Sequence, residues 1–335
     1  MSLRIKYGIT VCVVLATLAA ATGFAAGEEE GLGISARSFV IMDAKTGQIL
    51  LSLNPHRFLP PASTLKVMTA MMVMEYLNMD DKVTVSRYAA SAPPSKIGIK
   101  PGEVYTVREL LYALLLNSAN DAARALAERV CGSEQDFAHQ LTRQVRLWGA
   151  YRTTCATANG LPAENQFSTA QDLALMFRRA MQDPELAKIM ETKHYTIQGD
   201  RELRNHNRFL FTTPLAVAGK TGYTRAAKHT YVGMFKNGDH EIIIAMMGSK
   251  NKAKWADLRT LIEKGFELEG APIAKLPPAE EKLRFAKRGS GKAARVTRRS
   301  HRRRRAKVVT GSTTSTPVKK KAALKRKPRG RDQES

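Results

Sequence analysis

The chain has 335 residues, 43% of them apolar, and carries 54 Lys and Arg against 30 Asp and Glu, a formal net charge of +24. This length and apolar content exclude a chain disordered throughout and allow one large domain or two ordinary ones. The charge is unevenly placed: residues 287–331 hold 19 Lys or Arg, and the only acids after Lys287 are Asp332 and Glu334, so the basic balance belongs mainly to a tail.

At the N-terminus, Arg4 and Lys6 precede an apolar run from Ile9 to Ala21 and small residues around Gly23 and Ala25. This three-part pattern predicts a secretory signal peptide over residues 1–25. The alternative is an uncleaved membrane anchor, for which the run is short against the span of about 20 residues needed. Export would leave Cys131 and Cys155 in an oxidising setting, as one disulfide or as two free thiols, and the sequence leaves both open. No spacing suggests a metal site.

Ser38 to Asp43 and Gln48 to Leu53 are β-rich runs joined by a turn in which Gly47 supplies the unusual backbone angle. From Thr64 to Leu77 nearly every residue is apolar, so a helix here belongs inside a core, with Ser63 at its N-terminus. Asp80 to Glu103 reads as loops and short strands. Thr106-Val107-Arg108-Glu109 is a capping box before the apolar face of Leu110, Leu111, Leu114 and Leu115. Asn117 to Asp121 breaks that pattern, and a second helix runs from about Ala122 to Val130, stopped at Gly132.

Helices over Glu134 to Trp148 and Ala170 to Met181, the latter capped by Ser168 or Thr169, are separated by the turn Asn159-Gly160-Leu161-Pro162. After Arg201 the pattern turns to strands: Leu215 to Ala218 leads into Gly219-Lys220-Thr221-Gly222. Thr230 to Phe235 and Glu241 to Met247 then flank a hairpin turn at Lys236 to Asp239. Trp255 to Phe266 is an amphipathic closing helix. Strands at both ends with helices between them predict an α+β domain whose antiparallel sheet joins the two ends. Residues 271–335 have too little apolar content to bury a core and are expected to be a disordered basic tail.

Ser63 and Lys66 fall on one helix face, at an N-terminus that favours developing negative charge. A lysine on an apolar helix must be paired or lose its charge, and a neutral amine beside a serine can take its proton. Short motifs of this kind recur by chance: Ser249-Lys250-Asn251-Lys252, Ser52-Leu53-Asn54 and Lys45-Thr46-Gly47 repeat the same spacings at a polar loop, a strand and a turn. Order and setting separate one set: Ser63-x-x-Lys66 at a helix start, Ser118-Ala119-Asn120 at a break between helices, and Lys220-Thr221-Gly222 at a strand.

With that set, with Phe39-Val40-Ile41-Met42-Asp43, and with Asn159-Gly160-Leu161-Pro162 and Gly219 to Thr224, the chain resembles the low-molecular-mass penicillin-binding D-alanyl-D-alanine carboxypeptidases from about Ser35 to Glu267. The resemblance implies a β-lactamase/DD-peptidase-like transpeptidase fold with a helical subdomain, over a catalytic domain at residues 34–270. Ser63 would be the acylated nucleophile, Lys66 its base, and Ser118 a relay toward the leaving amine. Asn120 would hold the substrate amide and orient Lys66, while Lys220 and Thr221 would engage the substrate carboxylate. Gly222 would let the substrate lie close to the backbone, and the N–H groups of Ser63 and Tyr223 would receive the oxyanion.

No metal or organic cofactor is implied. The substrates would be peptidoglycan stem peptides ending in D-Ala-D-Ala, with β-lactams as covalent inhibitors, acted on in the periplasm or cell envelope at the outer face of the inner membrane.

Three alternatives accompany this reading. A DD-endopeptidase of the same family is one, since short relatives of this kind include enzymes that cut cross-links. A class A β-lactamase would need an E-x-x-L-N loop, whereas Glu164 is followed by Asn165-Gln166-Phe167. A nucleic-acid-binding protein is suggested by the tail alone, which lacks interleaved aromatics and would be exported away from the chromosome. The tail itself reads as solvated disorder or as an electrostatic attachment to anionic lipid or cell-wall polymer. Ala227-Lys228-His229 departs from the family's small residue pair, and its extra positive charge is expected to alter substrate preference.

Overall fold

The computed structural model describes residues 32–277; the expected signal peptide and residues 278–335 of the expected tail lie outside them. Strands β1 (Ser38–Asp43) and β2 (Ile49–Leu53) form the expected antiparallel hairpin, with Gly47 at φ 81°. A single 3-10 turn, Ala62–Leu65, precedes helix α1 (Lys66–Tyr76). Ser63 therefore lies in the tight turn before the helix rather than at the first turn of the α-helix itself. The Thr64 hydroxyl donates to the Pro61 carbonyl at 2.6 Å, and Thr230 Oγ1 donates to the same oxygen at 2.9 Å, fixing that turn to the sheet. Lys66 to Val73 are all buried, as an apolar helix with no polar face requires.

The segment read as loops and short strands contains β3 (Lys82–Thr84) and the short helix α2 (Arg87–Ala90), and β3 pairs with β4 (Val104–Thr106). The capping box opens α3 (Val107–Leu116): Glu109 N donates to Thr106 Oγ1 at 3.1 Å, and Thr106 N to Glu109 Oε2 at 2.8 Å. After the break, α4 (Asn120–Cys131) starts two residues earlier than its apolar pattern shows and ends at Gly132, left-handed at φ 81°. Helices α5 (Glu134–Leu147) and α6 (Ala170–Ala180) follow, the latter capped by Thr169, whose side chain accepts from Asp172 N.

Four elements here escaped the pattern. Helix α7 (Pro184–Glu191) begins on proline with Asp183 as its cap. Strands β5 (His194–Ile197) and β6 (Arg201–Arg204) form a small hairpin of mixed exposure, which gives no clean alternation. The short helix α8 (Phe209–Thr212) follows, then β7 (Ala216–Thr224), β8 (Lys228–Asn237), β9 (His240–Ser249) and α9 (Lys254–Leu268).

The main sheet has the order β2-β1-β9-β8-β7, all antiparallel, so the N-terminal hairpin joins the C-terminal meander where β1 meets β9. Its two faces bury different cores. On one, Phe39, Ile41, Tyr231, Phe235 and Ile244 pack against Leu258, Leu261 and Phe266 of α9. On the other, Val40, Val232, Ile243 and Ala245 join the large core formed by α1, α3 to α6 and their neighbours. Packing continues past Gly270, where Ile273 and Leu276 cover the α9 side. Cys131 is half-buried and Cys155 buried, and they are not bonded to each other. Among the described residues no helix is long and apolar enough to cross a membrane.

Phe266 is fully buried beneath the sheet. Phe266→Ala is expected to cost about 3–5 kcal/mol, read as a lowered midpoint of urea unfolding.

Candidate active site

The site forms where the turn before α1, the break between α3 and α4, the loop before α6 and the edge strand β7 converge. Lys66 is 0% exposed. Its Nζ donates to Ser63 Oγ at 3.0 Å, to Asn120 Oδ1 at 2.7 Å and to the Asn159 carbonyl at 2.6 Å. Three oxygens from three distant segments thus share one amine. Burial first, and then the charge of Lys220, hold the Lys66 pKa well below its ordinary range, against an opposite pull from Glu134 and Asp121.

Ser118 stands at φ 58°, a left-handed backbone rare for a residue with a side chain, and its Oγ accepts from Lys220 Nζ at 3.0 Å. Lys220, 1% exposed, also donates to the Thr221 carbonyl at 3.0 Å; burial and the charge of Lys254 push its pKa down to about 7. Asn120 spends both ends of its amide: Oδ1 on Lys66 and Nδ2 on the Pro93 carbonyl at 2.9 Å. Its backbone N–H donates to the Ser95 carbonyl at 2.8 Å.

Asp121 accepts from the N–H groups of Ile97, Gly98 and Ile99, which pins the loop carrying those carbonyls. Two glycines are set by close approach. A Cβ on Gly222 would lie 2.9 Å from Ser63 N, and one on Gly160, at φ +78°, would strike the Ala62 carbonyl at 1.9 Å. Gly222 thus keeps the Ser63 N–H open to the cleft, while Thr221 is half-buried and Tyr223 is 48% exposed at the rim.

All eight residues expected at the site are therefore together: Ser63, Lys66, Ser118 and Asn120 on the helical side, Lys220 to Tyr223 on β7. The repeated motifs are elsewhere. Ser249, for example, is buried with its hydroxyl donating to Asp257 Oδ2 at 2.7 Å.

The family model for D-alanyl-D-alanine carboxypeptidase, peptidase family S11, matches residues 24–251. The chain is 35% identical over 242 residues to the D-alanyl-D-alanine carboxypeptidase DacB2 of Mycobacterium tuberculosis, covering 70% of this chain and 83% of that one. The chain belongs to the D-alanyl-D-alanine carboxypeptidase family. The crystal structure of a D-alanyl-D-alanine carboxypeptidase from Mycobacterium tuberculosis H37Rv is similar to it with a TM-score of 0.68 at 33% identity, over 72% of this chain and 95% of that one. A mutant of the Streptomyces K15 DD-transpeptidase is similar with a TM-score of 0.66 at 27% identity, over 70% of this chain and 98% of that one.

The candidate site includes groups to which the sequence assigned no role. Asn159, in the Asn159-Gly160-Leu161-Pro162 turn, enters through its backbone carbonyl, and Glu134 reaches the same loop from α5. Of the three lysines after β9, Lys250 and Lys252 are exposed, whereas Lys254 is half-buried and acts electrostatically on Lys220 and His229. Lys254 Nζ lies 4.2 Å from the Trp255 ring centre, and burial and Arg208 push its pKa down to about 8. His229 of β8 lies under Tyr223, their rings 4.6 Å apart. Glu164 is exposed, and both oxygens of buried Glu134 are taken by protein donors, so neither is a free base beside Ser63. Among the described residues no cluster of His, Cys, Asp and Glu could hold a metal.

The depressed lysines make stability depend on pH. In the unfolded chain Lys220 titrates at its ordinary 10.5, and in the folded enzyme at about 7, so between these values the unfolded state binds more protons and stability rises with pH. Lys66 acts with the same sign. The urea-unfolding free energy of the wild type is expected to increase from about pH 6.5 to about pH 9, and less so in Lys220→Met.

Proposed function

We propose that this D-alanyl-D-alanine carboxypeptidase trims peptidoglycan stem peptides through an acyl-enzyme on Ser63, with Lys66 as its base. The observation that carries this reading is the buried Lys66 amine 3.0 Å from Ser63 Oγ. Desolvation and the Lys220 charge favour the neutral amine, whose lone pair takes the hydroxyl proton once Ser63 Oγ donates to it rather than accepts from it. As Ser63 Oγ attacks the carbonyl of the penultimate D-Ala, the developing oxyanion meets the N–H groups of Ser63 and Tyr223. Gly222, with no Cβ to cover Ser63 N, supports that assignment.

Strand β7 lies at the sheet edge, so a peptide can add to its free side as a further strand. The C-terminal carboxylate would then reach Lys220, Thr221 and Lys254. Its charge would raise the Lys220 pKa again, so substrate binding itself would protonate that lysine. Ser118, tied to Lys220, would pass a proton to the departing D-Ala, and water would then release the shortened peptide from Ser63.

A β-lactam imitates the scissile amide and would acylate the same hydroxyl. With Glu164 exposed and both oxygens of Glu134 taken by protein donors, neither is free to activate water at Ser63, and that adduct is expected to persist. Incubation with labelled penicillin should give a stable adduct on Ser63 by mass, absent from Ser63→Ala. Lys66→Ala should acylate about 10²- to 10⁴-fold more slowly. Rapid turnover of penicillin, or normal acylation of Lys66→Ala, would overturn the reading.

Export by residues 1–25 would place the enzyme in the periplasm or cell envelope, and the basic residues 287–331 would hold it to an anionic surface at about 1 kcal/mol per well-placed Lys or Arg. Truncation after Pro277 keeps the packed segment around Ile273 and Leu276. It is expected to abolish binding to vesicles containing anionic lipid while leaving penicillin acylation intact; retained vesicle binding would refute the attachment.

A further inference from the structure

Glu134, at the start of α5, is a buried carboxylate, 6% exposed, for which the acyl-transfer scheme has no role. All its acceptor capacity is used on the protein. Oε1 accepts from Ala158 N at 3.0 Å and from Asn159 Nδ2 at 3.1 Å. Oε2 accepts from the Tyr88 hydroxyl at 2.5 Å and from Arg124 Nε at 3.0 Å. The Arg124 guanidinium also lies 4.2 Å from the Tyr88 ring centre.

Burying a carboxylate costs several kcal/mol of effective desolvation, which its donors must offset. Their origin is informative, because they come from both walls that hold the base. Ala158 and Asn159 belong to the loop whose Asn159 carbonyl takes the Lys66 amine at 2.6 Å, and the Ala158 carbonyl accepts from Thr69 Oγ1 on α1 at 2.7 Å. Tyr88 lies on α2, at the head of the loop whose Pro93 and Ser95 carbonyls fix Asn120. Glu134 is bonded to both segments.

We infer that Glu134 is a positioning residue for acyl transfer: it fixes the Asn159 carbonyl and, through Tyr88, the loop that orients Asn120, and so aims the Lys66 amine at Ser63. The inference rests on the reading of Lys66 as the base. Glu134 touches neither substrate nor the reacting atoms.

The charged groups facing Lys66 are Lys220 from β7, Asp121 from α4 and Glu134 from α5, with His206 nearby in the segment before α8. Glu134→Gln keeps an oxygen for Ala158 and Asn159 but removes a negative charge that favours protonated Lys66. Glu134→Asp keeps the charge and shortens the reach.

The test is the second-order rate of acylation by labelled penicillin as a function of pH, with Tm measured alongside. Glu134→Gln is expected to shift the acid limb to lower pH and to reduce the alkaline plateau about tenfold or more, the scale of a misplaced catalytic group. Glu134→Asp is expected to lower the plateau and leave the limb in place. Asn159→Ala removes the side-chain tie and keeps the carbonyl; combined with Glu134→Gln it should be no slower than the slower single variant, since both act on one group.

Variants that melt lower yet keep the wild-type plateau and limb overturn the inference, as do additive losses in the double variant. If Glu134→Gln does not fold, Tyr88→Phe removes one bond from an exposed residue and should slow acylation several-fold; an unchanged rate overturns the inference. Lys66→Ala reports on the base separately: normal acylation there defeats the reading of Lys66 whatever Glu134 does.

Discussion

A lysine amine without water is the constraint on which this structure depends. Buried in the core, Lys66 must find hydrogen-bond acceptors within the protein or forfeit several kcal/mol. It finds them on Ser63, Asn120 and Asn159, which lie up to 93 residues away in sequence. To bring those three oxygens to one nitrogen, the turn before α1, the break between α3 and α4, and the loop before α6 must meet at one point. The seam between the helical part and the sheet is therefore fixed by polar geometry as well as by apolar packing. The edge strand β7 closes the seam from the other side, with Gly222 against the Ser63 turn.

The same seam stores unfavourable energy. Two lysines share one buried region, and each is held below its ordinary pKa by desolvation and a neighbouring cation. Ser118 and Ala62 both have positive φ, a backbone that costs of the order of 1–3 kcal/mol per residue without glycine. Buried carboxylates partly offset the crowding. Asp121 gathers three consecutive N–H groups, and Glu134 gathers four donors from α2, α4 and the loop before α6. Large apolar cores on both faces of the sheet supply the stability that lets such a site persist.

The fold is shared with a DD-transpeptidase as well as with carboxypeptidases. In an acyl-transfer scheme those two reactions differ in the acceptor that reaches the acyl group, water or an amine. Tyr223, His229 and Lys254 stand at the rim of the cleft, outside the buried network around Lys66. Here the rim is cationic and aromatic, which suits a peptide ending in a free carboxylate.

Local signals in the sequence were enough for much of this. The capping box at Thr106, the stop at Gly132, the turn glycines Gly47 and Gly238, and the apolar run after Ser63 each act over a few residues, so the chain itself determines them. The spacing of Ser63 and Lys66 likewise fixes their shared face, and the ordered motifs supply seven of the eight candidate residues, with Tyr223 following from the family resemblance. Only the tertiary structure decided that a 3-10 turn carries Ser63, that Cys131 and Cys155 stay apart, that Lys254 and not Lys250 or Lys252 lies near Lys220, and that the Asn159 carbonyl takes the Lys66 amine while Glu134 bonds Asn159. A backbone carbonyl has no letter in a sequence, and a carboxylate buried by four donors reads the same as one in water. What they contact is set by the packing of segments far apart in the chain, and that packing is a property of the whole fold.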